Sequence, residues 1–174
     1  MQRKSFADIE CNIARAVQDA GDAWTLMILR NALLGARRFQ DFEEQLDAPP
    51  TTLARRLRAL TERGFFVRRA YEAHPPRDEY ELTDKGREFL PVLLALAVWG
   101  GRWLSPAGAP FEFCDESSGQ PLEPVIVDAQ SGRRLVAGNV ALRAGPGASR
   151  RLRKAMENRR VVFGAPAALE GRAQ

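Results

Sequence analysis

The sequence predicts a mostly α-helical, α+β fold, and three observations lead to this prediction. A helical apolar period runs between Pro50 and Gly64, two strand-like segments follow between residues 65 and 82, and residues 89–99 form a long apolar run. Apolar spacing near 3.6 residues indicates a helix, whereas aromatic and β-branched enrichment indicates strands. A tight pair of short helices followed by a hairpin is the pattern of a winged helix-turn-helix.

The composition is that of an ordinary globular chain. Its 174 residues are 45% hydrophobic and 28% charged, which suits one domain and an appendage. The N-terminal residues lack the apolar segment of a secretory leader, and the apolar run at residues 89–99 is shorter than the roughly 20 residues that span a bilayer. Cys11 and Cys114 are too far apart in sequence to indicate a disulfide framework. We therefore expect a cytoplasmic protein.

Three regions are predicted along the chain. Residues 1–104 form the winged helix-turn-helix and dimerisation domain, residues 105–147 a small β-rich appendage, and residues 148–174 a basic helix with a tail. Glycine and proline punctuate short apolar runs throughout the second region, which is typical of short strands joined by turns.

Apolar spacing predicts three helices before residue 47, and the apolar set of the second should form the core of the domain. Asp22 is predicted to cap the second helix, which Gly35 ends. The apolar residues that we expect in these helices are Ile13, Ala16, Val17 and Ala20 in the first, Trp24, Met27, Ile28, Leu29, Ala32 and Leu33 in the second, and Phe39, Phe42 and Leu46 in the third. Residues 47–50 form the turn into the next helix.

The helix predicted between Pro50 and Gly64 has one apolar and one basic face. Leu53, Leu57 and Leu60 share the face that must pack on the domain. The residues expected on or beside the opposite face are Thr51, Thr52, Arg55, Arg56 and Arg58. Residues 50–69 contain six arginines and one glutamate, a local charge of +5. Concentrated positive charge attracts phosphate, so we predict binding to duplex DNA; a solvated amphipathic surface helix is the alternative.

The strands after this helix should form a wing. Gly64 ends the helix, and residues 65–71 and 78–82 are predicted strands joined by a turn at residues 72–77. The DNA contacts predicted on the wing and its flank are Arg38, Arg69, His74 and Arg77. Arg77 either enters a minor groove or is solvent-exposed, and His74, the single histidine, is also interpreted as a solvated wing residue.

A long helix is predicted from Thr83, its cap, to Trp103. From Phe89 onward it is apolar almost all round, and such a helix must be buried. A domain of this size cannot cover it alone, so we expect a two-fold dimer. The dimerisation residues predicted are Phe89, Val92, Leu93, Leu96, Trp99 and Trp103. Pro91 is expected to kink the helix.

Taken together, these residues resemble the HxlR family of bacterial regulators, which are similar to MarR-type proteins. Residues 11–39, CNIARAVQDAGDAWTLMILRNALLGARRF, resemble its opening signature. Residues 53–69, LARRLRALTERGFFVRR, and 77–100, RDEYELTDKGREFLPVLLALAVWG, resemble its recognition helix, wing and last helix. The resemblance implies a homodimeric, sequence-specific transcriptional regulator that binds a near-palindromic operator with half-sites about 34 Å apart.

In this interpretation the recognition helix enters the major groove with its N-terminal half. Thr51, Thr52, Arg55 and Arg56 would reach base edges and Arg58 would lean towards phosphate. For Arg55 or Arg56 a structural salt bridge remains the alternative.

Cys11 is the candidate redox sensor. It lies at a helix start, where the dipole favours a thiolate, with Arg15 one turn later, and some members of the family sense oxidants at this position. A small buried structural cysteine fits the same place. A small-molecule effector is also compatible with the resemblance.

The appendage resembles C-terminal extensions that hold zinc between Cys-Gly pairs. Here Ser118-Gly119 and Ser131-Gly132 replace those pairs, Asp128 occupies another ligand position, and Cys114 alone remains. One thiolate does not make a zinc site, so no metal and no cofactor is expected.

Two other classes of function compete with this interpretation. An enzyme is not expected, because no catalytic triad, metal cluster or phosphate loop is present in the sequence. A sequence-tolerant architectural DNA-binding protein is the alternative, with residues 143–160, seven basic and one acidic, as its main contact; that segment is otherwise a solvated or partner-bound tail.

Overall fold

The computed structural model describes residues 6, 9–73, 76–157 and 161–164. They belong to two compact units that divide between Phe111 and Glu112. The first unit contains helices α1 (Asn12–Ala20), α2 (Ala23–Leu33), α3 (Phe39–Leu46), α4 (Pro50–Glu62), α5 (Asp84–Arg87) and α6 (Leu90–Leu104), with strands β1 (Phe66–Ala73) and β2 (Pro76–Leu82). The second contains β3 (Phe113–Cys114), β4 (Pro121–Leu122), β5 (Ala141–Leu142), α7 (Arg150–Met156) and β6 (Val161–Val162).

Helix α2 lies at the centre of the core. The predicted cap is confirmed: the Asp22 carboxylate accepts hydrogen bonds from the Thr25 amide (3.2 Å) and hydroxyl (2.6 Å). Ile28 and Leu29 are completely buried. The prediction of Met27 as a core residue is wrong, because Met27 faces out with 38% exposure while Thr25 and Asn31 are buried. Helical phase decides this, since the buried residues Ile28, Leu29 and Ala32 lie roughly 100–160° around α2 from Met27.

A tight turn joins α3 to α4. Asp47 adopts a left-handed backbone (φ 46°), a conformation that Asp tolerates better than most residues. Pro50 begins α4, where its missing N–H costs nothing. Leu53, Leu57 and Leu60 are all buried, as the apolar spacing predicts. Helix α4 contacts both α2 and α3, so these three leucines hold it against the domain.

The wing is a two-stranded antiparallel sheet of β1 and β2, extended by a bridge between Arg38 and Glu79. The strands are longer than predicted: Glu72 pairs with Arg77 and Ala73 with Pro76, so the turn expected over residues 72–77 is wrong at both ends. A register shift between Ala70 and Glu72 accommodates this extension.

Aromatic packing attaches the wing to the helices. The rings of Phe42, Phe66 and Tyr80 meet edge to face in all three pairs, with centroids 6.2–6.3 Å apart. Edge-to-face pairs of this kind contribute about 0.5–1.5 kcal/mol each beyond their burial. The sheet is therefore fixed relative to α3.

The long helix predicted from Thr83 is instead two helices. The Thr83 hydroxyl caps α5 by accepting from the Gly86 amide, but the helix ends at Arg87 and restarts as α6 at Leu90. Pro91 occupies the first turn of α6 and so does not kink a continuous helix. Its ring would clash with the carbonyl four residues earlier, which is that of Arg87. The break lies between that carbonyl and Pro91.

Gly86 is required at the junction between α5 and the wing. A Cβ on Gly86 would lie 2.5 Å from the Phe65 carbonyl oxygen and 2.7 Å from a Leu82 methyl carbon. No side chain fits there without displacing the strand ends. The Thr-Asp-Lys-Gly sequence therefore combines a helix cap with a close backbone approach.

The appendage contains short strands, as predicted, joined by tight turns. Two turns repeat one pattern: Gly119 and Gly132 both have φ 67°, and their amides donate to the carbonyls of Asp115 and Asp128 over 2.8 Å. The Asp115 carboxylate also accepts from Ser117 and Ser118, which lowers its pKa to about 2. The predicted basic helix at residues 149–160 is present as α7, within Arg150–Met156.

None of the described helices combines the length and apolar character that crossing a membrane requires.

The contact between Asp22 and Arg56 links the start of α2 to α4, with 3.2 Å between Oδ1 and Nη1. Replacing Asp22 by Ala removes both the cap, worth about 1 kcal/mol, and the partner of a largely buried guanidinium. We predict a loss of about 2–3 kcal/mol in the free energy of unfolding by urea. The matched control is Glu44→Ala, which changes an exposed side chain of α3 and should alter the free energy of unfolding by less than about 0.5 kcal/mol.

The double variant Asp22→Ala/Arg56→Ala separates the cap from the ion pair. It should lose less stability than the two single variants added together, because each single variant leaves one unpaired charge. Strict additivity would show that the ion pair does not contribute.

Candidate nucleic-acid interface

Helix α4 presents one face of mixed polar and basic character. With its leucines buried, Thr51, Arg55 and Arg58 are exposed, as the helical period predicts, while Thr52 and Arg56 are half-buried at the edges. The prolyl start and the turn at Asp47 fix where the helix begins. The tertiary packing of α4 therefore decides which of its polar side chains point outward.

Arg56 is directed into the domain. Its guanidinium pairs with Asp22, and the two side chains keep only 24% and 16% of their exposure. Burial of Asp22 alone would raise its pKa, but the Thr25 hydrogen bonds and the charges of Arg56 and Arg63 lower it below the ordinary value. Of the two alternatives for Arg56, base contact or structural salt bridge, the structure shows the salt bridge in the free protein.

Arg55 and Arg58 differ from the other arginines of residues 50–69. Within residues 9–73, 76–157 and 161–164, their guanidiniums make no hydrogen bond and no ion pair. Arg63, by contrast, donates to the Asp19 carbonyl over 2.7 Å. Two unengaged guanidiniums on an exposed helix face are available to an external acceptor such as a guanine edge or a phosphate.

The wing is far less basic than a count of its arginines indicates. Arg68 pairs with Asp78 across the strands, and Arg69 pairs with Glu81 over 2.5 Å. In the antiparallel register these are diagonal neighbours. The acids that neutralise the wing come from β2, eight or more residues further along the chain, so a count over residues 50–69 misses them.

Arg38 is held at the foot of the wing. Its Nε donates to Glu79 over 3.0 Å, and its guanidinium lies 4.5 Å from the Tyr71 ring centroid. The Glu79 hydrogen bond is the main cause that raises the pKa of Arg38. Asp41 fixes the segment by accepting from the backbone amides of Arg37 and Arg38 over 2.9 and 2.8 Å.

A groove separates the second half of α4 from the wing. It encloses about 270 Å³ and is lined by Ala54, Arg58, Thr61, Glu62, Arg68 and Tyr80. Burial raises the pKa of Tyr80. Polar groups of both signs line this groove, so it continues the polar face of α4 as far as β1.

Other predicted residues lie away from this face or cannot be placed. Arg77 is exposed on β2, and His74 lies outside the described residues. Cys11 is exposed at the start of α1, where its side chain makes no capping bond. The structural alternative for Cys11 required burial, which the structure does not show.

The dimerisation residues divide into two groups. Phe89 and Leu93 pack against the core of the chain itself, with the Phe89 ring edge to face on Phe65. The outward group is exposed by 45–69% and consists of Val92, Leu96, Trp99 and Trp103. No residue of α6 is fully buried within the chain.

The appendage does not fit a zinc site. Ser118 donates to the Asp115 carboxylate over 2.8 Å, and Ser131 donates to Asp128 over 3.0 Å. These serine–aspartate bonds close the two turns that Cys-Gly pairs would close around a metal. Cys114 is the one thiol of the unit, whereas structural zinc is held by four thiolate or imidazole ligands.

Comparisons with known proteins agree with this geometry. The HxlR-like helix-turn-helix family model matches residues 20–108. An uncharacterized HTH-type transcriptional regulator of Mycobacterium tuberculosis is 37% identical over 137 residues, which cover 78% of this chain and 87% of that protein.

Solved structures show the same fold. PA1607, described as a candidate transcription factor, is 34% identical with a TM-score of 0.72, over 80% of this chain and 98% of its own. The redox regulator HypR in its reduced form is 26% identical with a TM-score of 0.50, over 56% of this chain and 99% of its own. The family and these relatives are transcriptional regulators and not enzymes. The structure is a winged helix with an exposed basic helix, the family model matches this region, and the relatives are regulators. This chain therefore belongs to the HxlR-like helix-turn-helix family of transcriptional regulators.

Proposed function

We propose that the protein is a sequence-specific transcriptional regulator that binds a near-palindromic operator as a homodimer in the cytoplasm. The observation that carries the proposal is the pair of unengaged guanidiniums, Arg55 and Arg58, on the exposed face of α4. The leucine face behind them keeps the helix rigidly presented. A rigid helix with free forked donors fits the major groove of duplex DNA.

The residues of α4 have different roles in this proposal. Thr51, Thr52 and Arg55 lie in its N-terminal half and reach base edges, while Arg58 contacts phosphate. Arg56 cannot contact a base and keep its ion pair at the same time, since a base contact would have to replace Asp22 as its partner. We therefore assign Arg56 first to holding α4 in place and count it as a base contact only if DNA displaces Asp22.

The wing and its flank supply secondary contacts. Arg38, Arg69 and Arg77 would contact the DNA backbone or the minor groove, and His74, which lies outside the described residues, is a further proposed contact. Because Arg38 and Arg69 are paired with Glu79 and Glu81, their contribution to affinity should be smaller than that of an unpaired arginine.

The exposed stripe of α6 supports a dimer. Val92, Leu96, Trp99 and Trp103 follow spacings of four, three and four residues, which place them on one face. Ile13 and Val17 on α1 are also exposed, by 61% and 50%. Exposed apolar stripes of this size mark protein interfaces, and a second copy provides a matching surface by symmetry.

Site selection from random duplexes at a stated salt concentration separates this proposal from a sequence-tolerant architectural protein. A regulator recovers a near-palindrome with half-sites about 34 Å apart. Recovery of no preferred sequence would support the architectural alternative.

Arg55→Ala tests the reading of bases. We expect the preference for the selected operator over random duplex to fall by about 1–3 kcal/mol, because a bidentate guanine contact is lost. Arg58→Ala should weaken binding to all sequences alike and lower the salt slope by about 1. Arg15→Ala on α1 is the charge-matched control. An unchanged preference for Arg55→Ala would contradict the assignment.

Leu96→Glu tests the dimer. A charge in the middle of an apolar interface should convert the protein to monomers and weaken operator binding, as measured by sedimentation and by titration of a full palindrome. Gln45→Glu adds the same charge on α3 and should leave the assembly unchanged. If Leu96→Glu sediments like the native protein, α6 is not the dimer contact.

Cys11 is a second element of the proposal, as a thiol that regulates DNA binding. Its exposure at the start of α1 supports this role, and one structural neighbour is a redox regulator. Binding of a small-molecule effector is the alternative to thiol modification.

Alkylation tests Cys11 in a Cys114→Ser background, since both thiols are exposed. We expect full modification by N-ethylmaleimide to change operator affinity about 5-fold or more, the scale of a typical coupling between sites. Cys11→Ser in the same background should not respond. Unchanged affinity after complete alkylation would remove the sensor role.

A further inference from the structure

Helix α7 of the appendage is amphipathic and basic. The Ser149 hydroxyl caps it by accepting from the Leu152 amide over 3.1 Å. Leu152 and Met156 are half-buried, one turn apart. The side chains on the other side are all exposed and basic: Arg150, Arg151, Arg153 and Lys154. The side of the helix with Leu152 and Met156 is therefore the more buried one, and the basic side is the exposed one.

One of these four cations is used within the appendage. Arg153 donates from Nε to the Ala148 carbonyl over 3.1 Å and from Nη2 to the Pro146 carbonyl over 2.6 Å. It secures the loop that leads into the helix. These two hydrogen bonds give Arg153 a structural role, which Arg150, Arg151 and Lys154 do not share.

The remaining three cations form a free basic face, which we define as Arg150, Arg151 and Lys154. Across the ranges that the structure describes, none of them makes a side-chain hydrogen bond or ion pair. At about 100° per residue they span roughly 100° of the helix circumference. Elsewhere in the same unit Arg134 does find an acid, Glu123, at 3.7 Å.

We propose that this basic face is a second contact with duplex DNA, made to the phosphate backbone and separate from α4. It rests on the proposed DNA-binding function for its partner. The unit from residue 112 to 174 has ten basic and seven acidic residues, so it carries +3 of the chain's net +4. Once α4 holds an operator, the tethered appendage meets phosphates at high effective concentration.

The composition of α7 distinguishes duplex DNA from other anionic partners. No aromatic residue lies in Arg150–Met156, whereas single-stranded nucleic acid is held by stacking on aromatic rings. A lipid surface requires an exposed apolar face, but Leu152 and Met156 are turned inward. Free guanidinium and ammonium groups on one helix face fit phosphate contacts, which are independent of sequence.

The test compares salt dependence in the full-length protein. Arg150→Ala/Lys154→Ala removes two cations of the basic face, and Arg133→Ala/Arg134→Ala removes two others of the same unit as the control. Affinity for a duplex of about 60 base pairs, with the selected operator at its centre, is measured from 50 to 300 mM salt. We expect the first variant to lower the slope of log K against log salt by about 2, which is two phosphate contacts.

The preference for operator over random duplex should be unchanged in the first variant, because phosphate contacts do not read sequence. Equal slopes for the test and control variants would overturn the proposal. If polyglutamate also competes for the native protein in that case, the basic face binds an acidic protein partner instead.

Two measurements keep the result interpretable. Alanine favours helices, so the alanine variant should keep α7. If circular dichroism nevertheless shows that it has lost helix, Arg150→Gln/Lys154→Gln repeats the test. The proposed function is tested separately by Arg55→Ala, which should lose preference for the operator over random duplex. A slope difference without any operator preference would retain the phosphate contact and reject the regulator.

Discussion

The burial of Leu53, Leu57 and Leu60 is the constraint on which the rest of the first unit depends. Each is at most 1% exposed, within a core that also includes Ile28 and Leu29 of α2 and Phe42 of α3. Complete burial of a leucine side chain is worth about 1.5–3 kcal/mol, so any rotation of α4 about its axis would be costly. The opposite face, with Arg55 and Arg58, is outward for this reason.

Which arginines of this protein can bind an external anion depends more on their ion pairs than on how many arginines a segment contains. The arginines of the wing meet acids on β2, and Arg56 meets Asp22, whereas Arg55 and Arg58 on α4 have no such partner among the described residues. Exposed ion pairs add little stability, about 0–1 kcal/mol each. Their effect on recognition is larger, because a paired guanidinium must lose its partner before it can bind phosphate. The pairing therefore directs the electrostatic attraction to particular surfaces.

The appendage shows how short, turn-rich sequence is held without a large core. Within residues 112–157 and 162–164 no side chain is fully buried. Hydrogen bonds in the two Asp-x-x-Ser-Gly turns supply local order: each aspartate accepts from its serine, and each glycine adopts the left-handed backbone that the turn requires. The two turns are thus closed by hydrogen bonds of their own side chains and backbone.

The sequence by itself determined the local features of the fold. The period of α4, the cap at Asp22, the glycines that end α2 and α4, and the short strands of the appendage follow from residue chemistry within one or two turns of chain. The break between α5 and α6 was also encoded locally, in Pro91, although the expected consequence was a kink. The residues that match the family's motifs were visible in the same way.

Only the tertiary structure decided which arginines are free. Arg56 and Arg55 are adjacent and chemically identical, and they differ because α2 places Asp22 beside one of them. Arg68 and Arg69 are neutralised because the strand register sets Asp78 and Glu81 diagonally opposite. Such contacts join residues ten to thirty-four positions apart, and a distance of that kind through space is fixed by packing, which no local pattern of side chains specifies.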